Sequence, residues 1–154
     1  MKDQQEKLKL ACQSSAVLLS EIIKENETQN ETELIHNILK NFRYEEDNSG
    51  YFFVFKKTVV ISLPPKPQDH GKDYSNTTDS NGIYLIKEMY KLAKQGGGFL
   101  EYTWARPNGE QAPKVSYATE IPGTEYWIGT GVYLDKLTEK IEEMDETLTG
   151  LVER

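Results

Sequence analysis

The side chains with chemistry to offer cluster in a few short runs. Lys114 and Ser116 fall in Pro113-Lys114-Val115-Ser116-Tyr117-Ala118, which reads as a strand. Just upstream, Phe99-Leu100-Glu101-Tyr102-Thr103-Trp104 reads as another, and Arg106 follows it. Tyr102 and Trp104 share one face of their strand, Lys114 and Ser116 one face of theirs. In Tyr51-Phe52-Phe53-Val54-Phe55 both faces are apolar, so both are expected to be covered. Tyr hydroxyls, the Trp indole, Lys114 and His70 are groups of the kind that orient a small ligand in a mostly apolar cleft. The alternative is that these aromatics are plain core. Glu101 and Glu120 are candidates to pair with Lys114, a structural role.

Nothing in the chain specifies a reaction. No Gly-x-Gly-x-x-Gly run opens a helix after a strand, and there is no phosphate-cradling Walker loop. Ser and His follow no nucleophile pattern, and the single cysteine, Cys12, sits inside a helical stretch. Two histidines at non-ligating spacing make a metal centre a poor fit. No catalytic residue, metal or cofactor is therefore expected; the chain reads as a binding domain and not an enzyme.

The elements that must position these residues are legible from periodicity. Leu8, Ala11, Ser15, Leu18 and Ile22 give a helical seam over residues 8–23. Leu34, Ile35, Ile38, Leu39 and Phe42 mark a second helix over 33–42. Strands are expected over 51–55 and 58–63, stopped by Pro64-Pro65-Lys66-Pro67. A loop over 68–82 is too long for a simple connection. Asp79 or Ser80 is expected to cap the next helix, with Ile83, Ile86, Tyr90 and Ala93 as its stripe. Gly96, Gly97 and Gly98 end it and release three sequential antiparallel strands. Leu134, Leu137, Ile141, Met144, Leu148 and Leu151 then alternate steps of three and four. That seam suits a coiled coil or a helix leading out of the domain, or a helix packed on its own domain. The fold class is α+β: a long N-terminal helix on an antiparallel sheet of five to six strands, one domain over 1–154. Its parts are helices in 1–42, sheet and pocket in 50–133, and a C-terminal helix in 134–154.

A net charge of −7 argues against nucleic acid or anionic membrane surfaces as partners. A local cation cluster still leaves room for an anionic small ligand. The opening Met1-Lys2-Asp3-Gln4-Gln5 lacks a leader pattern, and no apolar run is long enough to span a bilayer. That is the expectation for a cytosolic protein or for a domain cut from a longer chain.

The runs Arg43-Tyr44, Gly50 to Phe55, Gly71-Lys72, Asp79-Ser80-Asn81-Gly82, Gly96 to Trp104, Pro113 to Tyr117 and Trp127 to Tyr133 occur in order. Together they resemble the single Cache sensor domain, over about residues 42–137. The resemblance implies a PAS-like sheet outside the cytoplasm, in a bacterial chemoreceptor of the methyl-accepting type or a sensor histidine kinase. It implies a small-molecule ligand, often a monocarboxylate such as acetate, propionate, lactate or pyruvate. It also implies flanking spans in the inner membrane, absent from this chain, a C-terminal signalling helix, and a homodimer in the full receptor. An intracellular PAS-like interaction domain is the competing class. Lys114, in a Pro-Lys-x-Ser-Tyr run, is expected to hold the ligand carboxylate. Tyr51, Phe53, Tyr102, Trp104 and Tyr117 are expected to wall the pocket, with His70, Arg106 and Ser116 as further contacts. The chain departs from the pattern at Ser62-Leu63-Pro64, where many relatives carry Ala-His-Pro, and at Pro65-Lys66-Pro67.

Overall fold

Apolar residues on both faces of a strand oblige a sheet to be covered twice, and this sheet is. The computed structural model describes residues 2–27 and 29–134. Helix α1 spans Lys2–Glu25 and α2 Glu31–Leu39. Strands follow as β1 (Arg43–Tyr44), β2 (Gly50–Lys56) and β3 (Val59–Ser62). After a 3-10 turn at Pro67–Asp69 come α3 (Leu85–Lys94), β4 (Gly98–Ala105), β5 (Gln111–Glu120) and β6 (Tyr126–Tyr133). The sheet is six-stranded and antiparallel, ordered β1-β2-β6-β5-β4, with β3 also paired to β2. The expected C-terminal helix, past Leu134, lies outside the described residues.

Helices α1 and α2 cover one face, burying Leu8, Cys12, Ala16, Leu19, Ile23, Ile35 and Leu39 against Phe52, Val54, Tyr117 and Ile128. The seam of α1 is thus displaced by one residue from the expected one, of which Leu8 alone is buried. The reason is close approach. Cys12 Sγ lies 3.5 Å from the carbonyl oxygens of both Tyr117 and Ile128, a distance only a small residue permits. Cys12 serves here as a small apolar side chain, and burial pushes its thiol pKa up to about 12. Leu10, Val17 and Leu18 are left on the outer face.

The other face is covered by α3, with Leu63 and Tyr74 from the segment before it. Leu85, Ile86, Met89 and Ala93 pack on Tyr51, Phe53, Phe55, Tyr102 and Trp127. Neither Asp79 nor Ser80 caps α3, which begins after Tyr84 without a side-chain cap. The Asp79 carboxylate instead accepts from the N–H groups of Asn81, Ile83 and Thr103, at 2.9–3.0 Å, and so ties the loop to β4. The β2–β3 turn contains no glycine; Lys57 takes a positive φ of 55°. The Trp127 indole donates to the Lys57 carbonyl at 2.7 Å and holds that turn.

Two glycines on β6 make the site face possible. A Cβ on Gly129 would stand 2.4 Å from the Phe53 ring. One on Gly131 would stand 2.1 Å from Ser116 Oγ and 2.9 Å from Lys114 Cε. Their absent side chains are the space that Phe53 and the Lys114 stem occupy.

Candidate functional site

Register brings the chemistry together. Tyr102 pairs with Lys114, and Lys114 with Tyr133 across the next strand. Tyr51, Phe53, Tyr102, Trp104, Lys114 and Ser116 share the α3 face, and Arg106 stands at the mouth of the same region.

Lys114 is the centre. It is 1% exposed, unusual for a lysine without an ionic partner. Its ammonium donates to the Tyr51 hydroxyl at a long 3.4 Å. It lies 4.4, 5.5 and 5.7 Å from the ring centroids of Tyr51, Tyr133 and Phe53, within reach of cation–π attraction. The ion pairs among the described residues do not include it; neither Glu101 nor Glu120 reaches it, both being exposed. Burial, with Arg43 nearby, brings its pKa down to about 7. An ammonium held this way is expensive to keep charged, and an anion beside it relieves that cost.

Around it the buried polar groups are satisfied. Tyr102 Oη and Ser116 Oγ are 2.8 Å apart and share a hydrogen. The Tyr51 hydroxyl is held protonated by burial and by Tyr102 and Tyr133, with the Trp104 indole opposing the shift. Tyr51, Tyr102 and Trp104, with Met89 and Ile86 of α3, line a cavity of about 10 Å³, the room of a single water; Lys114 and Ser116 are not in its lining. A two- or three-carbon acid therefore needs α3 or the aromatic side chains to give way. An open cleft of about 260 Å³ adjoins it, walled by Arg43, Lys66, Arg106 and the rings of Tyr51, Trp104 and Tyr133. A larger cleft, about 480 Å³, lies between α1, α2 and the β5–β6 turn; Glu27, Glu31 and Glu125 make it a poor seat for an anion.

Two expected site residues stand elsewhere. Tyr117 is on the α1 face, its ring 4.9 Å from Phe99 and its hydroxyl 3.4 Å from the Gln13 amide. Strand alternation sends it opposite to Lys114 and Ser116. His70 stands beside β3: its Nε2 accepts from the Leu63 N–H at 3.0 Å, and its ring meets His36 at 4.3 Å. It fastens the loop and does not line the cavity. Conversely, Tyr133 and Lys66 were not foreseen. Tyr133 follows from alternation on β6, whereas no local signal marks Lys66 as part of the site.

The whole chain answers to one family: residues 2–152 match the family model dCache_2, described as Cache domain. The chain belongs to the Cache domain family, and the described residues build one such sheet. It is 36% identical over 100 residues to the sensor histidine kinase MctS of Rhizobium johnstonii, covering 64% of this chain and 21% of that protein. It is 30% identical over 121 residues to the methyl-accepting chemotaxis protein CtpM of Pseudomonas aeruginosa, covering 74% and 21%. The chain spans about a fifth of the length of each of these curated relatives. A solved structure titled "Structural basis for carboxylic acid recognition by a Cache chemosensory domain" superposes with a TM-score of 0.74 at 25% identity, over 86% of this chain and 94% of that one.

Proposed function

We propose that this chain is the extracytoplasmic ligand-binding domain of a transmembrane receptor, and that it binds a short carboxylate with Lys114. The observation that carries the reading is a fully buried ammonium ringed by three aromatic rings, with no described acid beside it. Tyr102, Ser116 and Trp104 supply directed hydrogen-bonding groups to a carboxylate there, and Phe53, Phe55 and Met89 an apolar wall for its chain. The carboxylic-acid-binding Cache domain supports the same ligand class by likeness. Among the described residues no helix is long and apolar enough to cross a membrane; the reading as a membrane receptor's domain rests on the likeness to MctS and CtpM. Its output is chemotactic signalling of the methyl-accepting type; the likeness to MctS keeps kinase control as the second reading.

Calorimetric titration with acetate, propionate, lactate and pyruvate is the test. A charge-assisted hydrogen bond is worth about 1.5–3 kcal/mol, so Lys114→Met should weaken the best acid roughly ten- to a hundredfold. A Lys114→Met protein that binds it as tightly as wild type refutes the assignment.

A further inference from the structure

The two histidines of the chain lie far apart in sequence and meet in the fold. His36 is on α2, in the layer that α2 forms with α1. His70 follows the 3-10 turn, on the segment that leads to α3. Their rings meet edge to face, with centroids 4.3 Å apart and planes at 77°. His36 Nδ1 is 3.3 Å from the Ser62 hydroxyl at the end of β3. His70 Nε2 accepts the next N–H, that of Leu63, at 3.0 Å. The pair therefore joins α2 and the loop over the end of one strand.

Backbone bonds hold the rest of the loop to β3. Gly71 donates to the Val60 carbonyl at 2.8 Å, Val60 to that of Lys72 at 2.9 Å, and Tyr74 to that of Thr58 at 2.8 Å. His70 extends this row with a side chain, and a side chain of this kind can titrate. The Leu63 N–H can only donate, so Nε2 carries no hydrogen and the proton of the neutral ring is on Nδ1. A second proton would go to Nε2 and set two N–H groups against each other. Leu63 would then lose its acceptor. The same bond uses the one lone pair that a neutral imidazole can give to a metal, so the arrangement is one for a proton and not for a metal ion.

The surroundings resist that proton. Burial, and then His36 beside it, hold His70 below the ordinary imidazole range. Asp69 pulls the other way, but Lys72 at 2.9 Å and the Tyr74 hydroxyl already engage its carboxylate. From β3 the pair meets the Ser62 hydroxyl and the Leu63 peptide. Both rings are half-buried, which leaves them within reach of solvent protons. Leu63 is buried among the residues that pack under α3, and it lines the small cavity with Phe53 and Met89. A change at its N–H is thus passed to the cover of that face.

We propose that His36 and His70 form a proton-operated latch, which releases Leu63 and the loop over residues 64–74 when the surroundings turn mildly acid. It gives the domain an input of its own, independent of what Lys114 holds. An unfolded histidine takes up its proton near 6.5, and folded His70 does so only at lower pH. The latch therefore contributes its full stability above about 6.5 and loses it as pH falls through the lower value.

Nuclear magnetic resonance of the ligand-free chain tests this, because two histidines give two sets of ring signals that single variants assign. The His70 ring should titrate below about 6.5, and the Leu63 amide signal should shift with the same midpoint. Exchange of the Leu63 N–H, corrected for its intrinsic pH dependence, should quicken roughly fivefold or more between about pH 7 and pH 5. His70→Gln offers a carbonyl oxygen that takes up no proton in this range, and the corrected rate should then change less than about twofold. His36→Gln removes the second imidazole, so the His70 midpoint should rise. A His70 ring that titrates at about 6.5 or above, or a Leu63 amide that ignores its titration, overturns the latch whether or not His70→Gln folds. Equal acid-induced quickening in His70→Gln and wild type overturns it as well.

Discussion

At the scale of single residues, Lys114 makes binding depend on pH. With its pKa brought down to about 7, the ammonium is present below neutrality and fades above it. A carboxylate needs the charged form, so affinity should fall as pH rises from about 6 to about 9, and binding near neutrality should take up protons. Calorimetry in buffers of different ionisation enthalpy detects that uptake; an affinity flat across this range contradicts it. The same shift works on stability in the opposite sense. An unfolded lysine titrates near 10.5, so between about 7 and 10.5 the unfolded chain holds more protons than the folded one. The ligand-free domain should therefore gain stability as pH rises through that window, while the penalty stays whole below it. Lys114→Met, which removes the buried charge, should melt higher than wild type at pH 6 without ligand.

At the scale of elements, Asp79 joins the loop before α3 to β4 next to Trp104. Its carboxylate is buried, which raises its pKa, but backbone N–H groups of Thr103, Ile83 and Asn81 outweigh that and hold it below the usual carboxylate range. Stability from this contact is complete above the usual carboxylate pKa and is lost as pH falls through the depressed one. Asp79→Ala leaves three N–H groups without their acceptor and should cost about 2–3 kcal/mol in denaturant unfolding, with a smaller acid-induced loss than wild type. Unfolding of Asp79→Ala indistinguishable from wild type would mean that water replaces the carboxylate without cost. Helix α1 makes the other element-scale prediction. Its outward Leu10, Val17 and Leu18 are 65%, 57% and 62% exposed, an apolar stripe left outside the core that the described residues build. We read it as the contact with a second copy in the intact receptor. Sedimentation should show more dimer at high protein concentration, and Leu18→Glu should abolish it while leaving acid binding intact. Strictly monomeric wild-type protein at millimolar concentration removes α1 from that role.

At the scale of the whole molecule, sequence and structure divide the work along a clear line. Pro, Gly and alternation marked out the meander of β4, β5 and β6, because turn chemistry and side-chain parity are local properties. The same local signals gave α+β architecture and a sheet covered on both faces. They also contained the placement of Tyr117, since a residue three along from Lys114 must point the other way; its nearness in sequence to Lys114 obscured this. The buried side of α1 was not legible. Leu10, Val17 and Leu18 are as apolar as Leu8 and Leu19, and three-four spacing fits either face. How closely the helix sits on the sheet decided the matter, in favour of Cys12 and Ala16. For the site, the sequence determined which residue types face one another across the strands. Only the tertiary structure decided that Lys114 is sealed between Tyr51 and Tyr133, with Arg43 and Lys66 at the cleft beside it. Burial, and with it the pKa, depends on distant segments meeting: β1, β2, β5 and β6 bring Arg43, Tyr51, Lys114 and Tyr133 together, and spacing along the chain carries no measure of that distance.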